Sequence, residues 1–466
     1  MNKQNLFKIL SVVSMMLLAT ACAGAVPTSA PSATSAPAAT SAPAATSAPA
    51  ATSAAAPTSA PAAGNPVKLV VLTHWGEEAL LKPMQAKFEE YQKQNPNVTI
   101  EYQTVTFDQL LTKITTGRAA GISPDVYHFY NLWMPDFVKG GLLDKPPADV
   151  LADIQANYSE GSQKAVTYQG QLWGYPTEIN TWQLIYNKKL LQDAGITKPP
   201  ETLDELKAAA CKAKQVDSSG KITQPGLILL PGWDSGVVHP YLSLLWSNGG
   251  EYLNADASKA LFNSPEGLAT LQVYQDMIKD KCIDLSAGMD VFANGKAAMI
   301  IMANFWRSTL QTAPIGYENV AVAPIPHGAN SKSTALQYNW AYGVDANSKN
   351  KEEAWKLVKW LNTPGTSPSA PSGATPIGDF LTSALGAMPS RLSDQKALAD
   401  RLNDDFIKAY LASTQTARPE PVVPGGQEVK TTLQTNIEDA WFGKKDPKTA
   451  LADAAEEADR ILAENK

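Results

Sequence analysis

The sequence predicts an α/β fold of two lobes, and three observations carry that prediction. Near-continuous apolar runs such as Val67–Thr73 read as strands buried on both faces. Between them, apolar residues recur at helical spacing, as in Leu80, Met84, Phe88 and Tyr91. The alternation then starts again from Leu184 onward, and about 400 residues suffice for two such lobes.

Taken in order, the helix over Ala79–Gln94 is stopped by Asn95-Pro96, and Val98, Ile100 and Tyr102 alternate as a second strand. Leu110, Leu111 and Ile114 form a short helical face ended by Gly117, and Asp125–Tyr130 returns as a strand. This βαβαβ order predicts a largely parallel sheet. In the second half, Leu203–Lys214 is helical behind a Thr202 cap, Gly226–Leu230 is strand-like, and Leu268–Lys281 is helical.

Residues 1–66 stand apart from this pattern. Lys3 and Lys8 precede an uncharged, mostly apolar run over Ile9–Ala21, too short to span a bilayer and laid out as an export signal. It ends in Leu18-Ala19-Thr20-Ala21-Cys22, which resembles the lipobox of bacterial lipoproteins, with the leucine one place further from the cysteine than is usual. Residues 1–21 are therefore expected to be a lipoprotein signal peptide and Cys22 the lipidated residue. Cleavage after the same small residues without lipid is the alternative. From Pro27 to Ala63 every residue is Ala, Pro, Ser or Thr, in repeats of Ala-Pro-Ala-Ala-Thr-Ser. Lacking apolar bulk and charge, residues 22–66 are expected to be an unfolded tether. Beyond the signal, the longest purely apolar stretch is Ala297–Ala303, too short for a transmembrane helix.

Composition narrows the function. The chain has 39 basic and 45 acidic residues, a net charge of −6, which argues against nucleic acid and anionic membrane surfaces as partners. Three cysteines without a CxxC pair argue against structural zinc, and no cofactor or metal is called for.

A series of short motifs then points to a family. Trp75-Gly76-Glu77, Phe88-Glu89-Glu90, Asn95-Pro96-Asn97-Val98, Pro124-Asp125-Val126, Tyr186-Asn187-Lys188 and Ala194-Gly195-Ile196 occur in that order. Trp246-Ser247-Asn248-Gly249-Gly250, Gly295-Lys296-Ala297-Ala298-Met299, Pro324-Ile325-Pro326 and Glu352-Glu353-Ala354-Trp355 follow. Each is weak alone, but together they span Val67–Lys466 and resemble extracellular solute-binding proteins of ABC importers, in particular the maltose-binding-like sugar-binding group. The resemblance implies two discontinuous α/β lobes joined by a hinge that the chain crosses three times, the periplasmic-binding-protein-like fold. The crossings are expected near Gly174–Asn180, Gln337–Gly343 and Met388–Arg391. Residues 67–176 plus 343–389 would form the first lobe, and 177–342 plus 390–466 the second. The Pro/Ser/Gly-rich stretch 363–378 is expected to be a mobile loop.

Indole rings match the flat C–H faces of sugars, so the eleven tryptophans are the first place to look for a site. Trp355, Trp360, Trp246 and Trp441 sit among apolar residues and read as core. Trp75, Trp182, Trp233, Trp306 and Trp340 follow strands or lie in loops and read as stacking candidates, with Trp133 and Trp173 behind them. The polar partners that sugar hydroxyls require are sought in Glu77, Asn131, Glu178, Asn180, Asp234, His239, Asn304 and Asn339. Arg391 and Arg418 can be placed either in the cleft or in structural ion pairs.

Enzyme signatures fail. Gly232-Trp233-Asp234-Ser235-Gly236 misses the nucleophile-elbow spacing by one residue, His74 has no second histidine at zincin spacing, and Asn254-Ala255-Asp256 lacks the glycine of a calcium loop. The expected protein is therefore a monomeric, lipid-anchored receptor outside the cytoplasmic membrane. It would capture a carbohydrate and deliver it to the permease of an ABC importer. A secreted carbohydrate-active enzyme, or the same fold binding a peptide, polyamine or phosphodiester, are the alternatives. Once Cys22 is lipidated, Cys211 and Cys282 remain, and in an oxidising compartment they are candidates for a disulfide. Two separate buried thiols are the other reading.

Overall fold

The computed structural model describes residues 65–466. Its organising element is one sheet of ten strands. The first three are β1 (Val67–Thr73), β2 (Val98–Thr104) and β3 (Val126–Tyr130), and then come the long β4 (Tyr175–Asn187) and the short β5 (Leu227–Ile228). They are followed by β6 (Met299–Ala303), β7 (Val320–Ala323), β8 (Leu336–Val344), β9 (Met388–Pro389) and β10 (Arg418–Pro419). The order across the sheet is β2-β1-β3-β8-β4-β6-β5, with β7 and β9 also paired to β4 and β10 to β8.

The sheet is mixed rather than largely parallel. β1 runs parallel to β2 and β3, but β8 is antiparallel to both β3 and β4, and β6 and β7 are antiparallel to β4. The reason is the path of β4 and β8. β4 pairs with β8 as far as Thr181 and with β6 from Trp182, so one strand belongs to both halves of the sheet. β8 shifts register between Asn339 and Ala341, passing from one half to the other at a bulge.

Local signals place the helices. α1 (Glu78–Gln94) buries Met84, Phe88 and Tyr91, and the Asn95 side chain donates to the Tyr91 carbonyl at 3.0 Å at its end. α2 (Phe107–Ala120) buries Leu110 and Ile114 and runs past Gly117, where the sequence reading stopped it. It ends at Gly121, whose φ of 70° suits a residue without Cβ. In the second half, the Thr202 hydroxyl accepts the Glu205 N–H and the Glu205 carboxylate accepts the Thr202 N–H, a reciprocal cap on α3 (Leu203–Ala213). Cys211 in α3 is disulfide-bonded to Cys282, 71 residues on. Closing a loop of that length is worth about 4 kcal/mol in the chain-entropy model.

The stretch expected to be mobile is pinned. Lys87 on α1 donates to Ser369 and to Asp379, each at 2.6 Å, the Ser367 hydroxyl bonds Glu90, and Gln94 donates to the Thr366 carbonyl at 2.8 Å. Composition could not register anchors almost 300 residues away along the chain. Trp355 and Trp360 are buried, their indole N–H groups donating to Asp144 and Gln94 at 2.9 Å each. Among the described residues no helix is long and apolar enough to cross a membrane.

Candidate ligand-binding site

Open α/β sheets collect functional residues where strands end at their carboxyl edge. Here β1 ends in His74 and Trp75, β3 in Tyr130 and the turn Asn131–Trp133, and β6 in the turn Asn304–Trp306. The segment after β5 leads to Trp233 and α4 (Asp234–Ser247).

These ends bring aromatic rings into one continuous belt. His74 stacks on Trp340 at 4.2 Å between centroids, with His128 behind at 4.8 Å and Trp75 at 4.3 Å from His128. Phe107 meets Trp340 at 5.9 Å and Trp133 at 6.2 Å. Tyr130 links Trp340 to Tyr338, which meets His239 at 5.1 Å. His239 then meets Trp182 at 5.3 Å, Trp182 meets Trp233 at 5.8 Å, and Trp233 meets Phe305 at 6.4 Å. Most of these rings are buried, whereas His74, Phe107, Trp233 and Phe305 are half-exposed.

Beside the belt lies a buried charged cluster that the sequence reading did not find. Lys430, on α5 (Gly426–Trp441), is fully buried. Its ammonium donates to Ser235 at 2.9 Å, to His239 Nε2 at 2.9 Å and to the Tyr130 hydroxyl at 3.2 Å, and lies 3.6 Å from Glu420 and 3.9 Å from Asp234. His239 Nε2 also lies 3.1 Å from Glu420 Oε1 and 3.2 Å from the Tyr130 hydroxyl; an ammonium can only donate, so toward Lys430 this nitrogen is the acceptor. Burial, then the Lys430 charge, hold the His239 pKa well below the ordinary value. Burial raises the Glu420 carboxyl against the pull of Lys430. At Asp234 burial also acts upward, but Lys430, Gln427 and Ser235 together outweigh it and hold the carboxyl below its usual range. Gln427 joins the two features, accepting from the Trp133 indole at 2.9 Å and donating to Asp234 at 2.8 Å.

The candidates thus divide. Trp75, Trp182, Trp233, His239 and Trp340 share the belt, and Asp234 flanks it through Lys430 and Gln427. Glu77 is exposed on the rim. Glu178 is buried, takes the Thr177 hydroxyl and lies 3.6 Å from His128. Asn180 is buried with its side-chain oxygen unpartnered. Trp306 is not on the belt but packs on Phe292 at 5.8 Å. Asn131, Asn304 and Asn339 direct their amides at main-chain groups. Arg391 pairs with Asp153, and Arg418 pairs with Glu251 over the Trp246 ring. Trp133, a weaker candidate, and Phe305, which was missed, shared a readable signal: Asn131-Leu132-Trp133 and Asn304-Phe305-Trp306 repeat one pattern after two apolar strands.

The profile of the bacterial extracellular solute-binding proteins matches residues 75–367, more than half of the chain. The chain belongs to this family. A binding protein of Brucella abortus (strain 2308) is 30% identical over 386 residues, covering 80% of this chain and 89% of that one. The maltotriose-binding protein of Pyrococcus abyssi is 23% identical over 303 residues, covering 63% of this chain and 62% of that one. Among solved structures, the GacH receptor of Streptomyces glaucescens, determined unliganded and with acarbose, superposes with a TM-score of 0.74 at 22% identity, over 86% of this chain and 100% of that one. That likeness establishes the two-lobed solute-binding fold. The family is one of binding proteins, not of enzymes.

Proposed function

We propose that this solute-binding protein captures a carbohydrate between its two lobes and hands it to the permease of an ABC importer. The observation that supports this best is the aromatic belt, which runs from Phe107 through Trp340 and Tyr338 to Trp233 and Phe305. Such a track offers apolar platforms to sugar faces. Along it, Trp75 Nε1, Trp182 Nε1, Asn180 Oδ1, His239 Nδ1 and Glu420 Oε2 are buried without a protein partner, which suits a ligand rich in hydroxyls. The arginines named as cleft candidates are spent in ion pairs, which favours a neutral ligand over a carboxylate or phosphate.

In this reading the lobes close on the ligand as a hinge, since only the closed state lets one sugar touch both. We place the first lobe at 67–176 plus 343–402 and the second at 177–342 plus 403–466. The first lobe extends beyond Pro389 to about Leu402, because Arg391 pairs with Asp153, Asp394 accepts the Thr375 N–H at 2.7 Å, and Arg401 pairs with Asp379. The receptor acts as a monomer outside the cytoplasmic membrane, held by a lipid on Cys22. Residues 1–64, with the signal, Cys22 and most of the tether, lie outside the described residues. Cys22→Ala should shift the protein from the membrane fraction to the soluble one, and an unchanged distribution would remove the lipid anchor from the reading.

A thermal-shift and calorimetry panel from monosaccharides to maltotriose and galacto-oligosaccharides tests the ligand class. Stabilisation by one sugar that is recovered intact after prolonged incubation is the expected result. Cleavage of the sugar would favour the enzyme reading, and stabilisation by polyamines or phosphodiesters alone would replace the ligand class.

A further inference from the structure

The two Asn-X-Trp turns are built alike, and each is tied to a strand at the point where that strand changes partner. Asn131 Oδ1 accepts the Asn339 N–H at 3.1 Å, at the register shift of β8. Asn304 Oδ1 accepts the Thr181 N–H at 2.9 Å, and its Nδ2 donates to the Ile179 carbonyl at 3.2 Å, where β4 leaves β8 for β6. Strands that switch partners leave buried main-chain groups without a ladder bond, and such groups must be paired. Asn339 extends the connection: its Nδ2 donates to the Glu178 carbonyl at 3.2 Å and to the Ser390 hydroxyl at 3.1 Å. The segments Glu178–Thr181, Gln337–Asn339 and Met388–Arg391, which lie side by side in the sheet, are thereby joined. The turns themselves carry Trp133 and Phe305 into the aromatic belt.

We propose that Asn131 and Asn304 are paired positioning residues that couple the ligand-facing turns to the crossing strands, with Asn339 extending the link to the Met388–Arg391 segment. They do not touch ligand. They fix where Trp133 and Phe305 stand relative to the strands that must bend when the lobes close. The inference rests on the ligand-capture reading for its consequence, but not for its geometry.

The two asparagines predict different responses to the same conservative change. At Asn131 the bond in use is to the side-chain oxygen, which aspartate keeps. At Asn304 the side chain also donates to a carbonyl, which a carboxylate would repel. Maltotriose affinity is measured by calorimetry on the full chain at about 25 °C, where the variants remain folded and a loss of stability alone does not change affinity. Asn131→Ala and Asn304→Ala should each weaken binding by about tenfold or more. Asn131→Asp should restore it to near the parent value, and Asn304→Asp should bind as poorly as Asn304→Ala. Alanine variants that bind like the parent, or an Asn304→Asp variant that does, would overturn the proposal. Hydrogen exchange separates this from a failure of the sugar reading. Whether or not the parent binds maltotriose, the Asn339 amide should exchange faster in Asn131→Ala and the Thr181 amide faster in Asn304→Ala. Unchanged protection at both would overturn the coupling by itself.

Discussion

The two sides of the site are built on different physics. The β1, β3 and β8 side is a set of rings leaning on rings, His74 on Trp340 and Phe107 on Trp133, with each contact worth little beyond the area it buries. The α4 and α5 side is a closed electrostatic unit in which Lys430 answers Asp234, His239 and Glu420 at once. A ring can be lost from the first side and leave neighbours that still pack. Losing the ammonium from the second leaves buried carboxyl groups with nothing to balance them. One side is therefore graded and the other cooperative, and a receptor that must both grip and release a neutral ligand has use for each.

The largest effect should come from breaking the cooperative side. Lys430→Met keeps the stem and removes the charge, and removing one partner from a buried charged cluster typically costs about 3–5 kcal/mol. Urea unfolding measures it. Adding Glu420→Gln should return part of the loss, because the carboxyl left without its partner is then neutral in any case. A Lys430→Met midpoint equal to the parent's would mean that the cluster is not a unit, and the contrast between the two sides would collapse.

A smaller effect, on a different observable, separates two tryptophans that the sequence put in one class. Trp306 is 4% exposed and packs on Phe292, so Trp306→Ala should cost about 3–5 kcal/mol of stability and leave the affinity of the folded protein unchanged. Trp233 is half-exposed at the end of the belt, so Trp233→Ala should cost about 1–3 kcal/mol of sugar affinity with little change in unfolding midpoint. Should the two variants exchange these outcomes, the belt is not where ligand sits.

That pair also marks how far the sequence could be read. Strand and helix positions followed from periodicity, because burial on a sheet writes itself into spacing. The cysteine pair was nameable because few cysteines were left to choose from. The sequence also picked out the indole and amide groups that stand after the strands. What each one touches was not legible. Asn339 meets Glu178 and Ser390 only because β8 shifts register beside it, and a bulge has no local signature. Lys430 sits in a helix with Glu428, Thr431, Thr432 and Gln434 around it, and nothing in that pattern separates a buried ammonium from a solvated one. Stretch 363–378 read as mobile because its anchors, Lys87, Glu90 and Gln94, are remote in sequence.

The smallest effect concerns pH, and its sign follows from His239. Burial and then Lys430 hold that imidazole well below its ordinary pKa in the folded protein. In the unfolded chain it titrates near the reference value of about 6.5. Between those two values the unfolded chain binds one more proton, so stability rises with pH across the window. The contribution is therefore complete above about pH 6.5 and is lost as pH falls toward the folded value. The charged or titratable groups facing His239 are Lys430, Glu420, Tyr130 and Tyr338, with Asp234 beyond Lys430. Glu420, raised by burial, acts in the opposite sense, its contribution being present in acid and lost as pH rises through its folded value. His74, on the ring side, is depressed like His239, by burial and by His128. Comparison with the parent isolates one residue from these. His239→Gln cannot take up the proton and leaves Glu420 and His74 in place. Its melting temperature should fall less than the parent's between about pH 7 and pH 5.5, in scans run side by side. Parallel curves for the two proteins would mean that protonating His239 costs the fold nothing, and the neutral imidazole accepting from Lys430 would be the wrong description of the charged side.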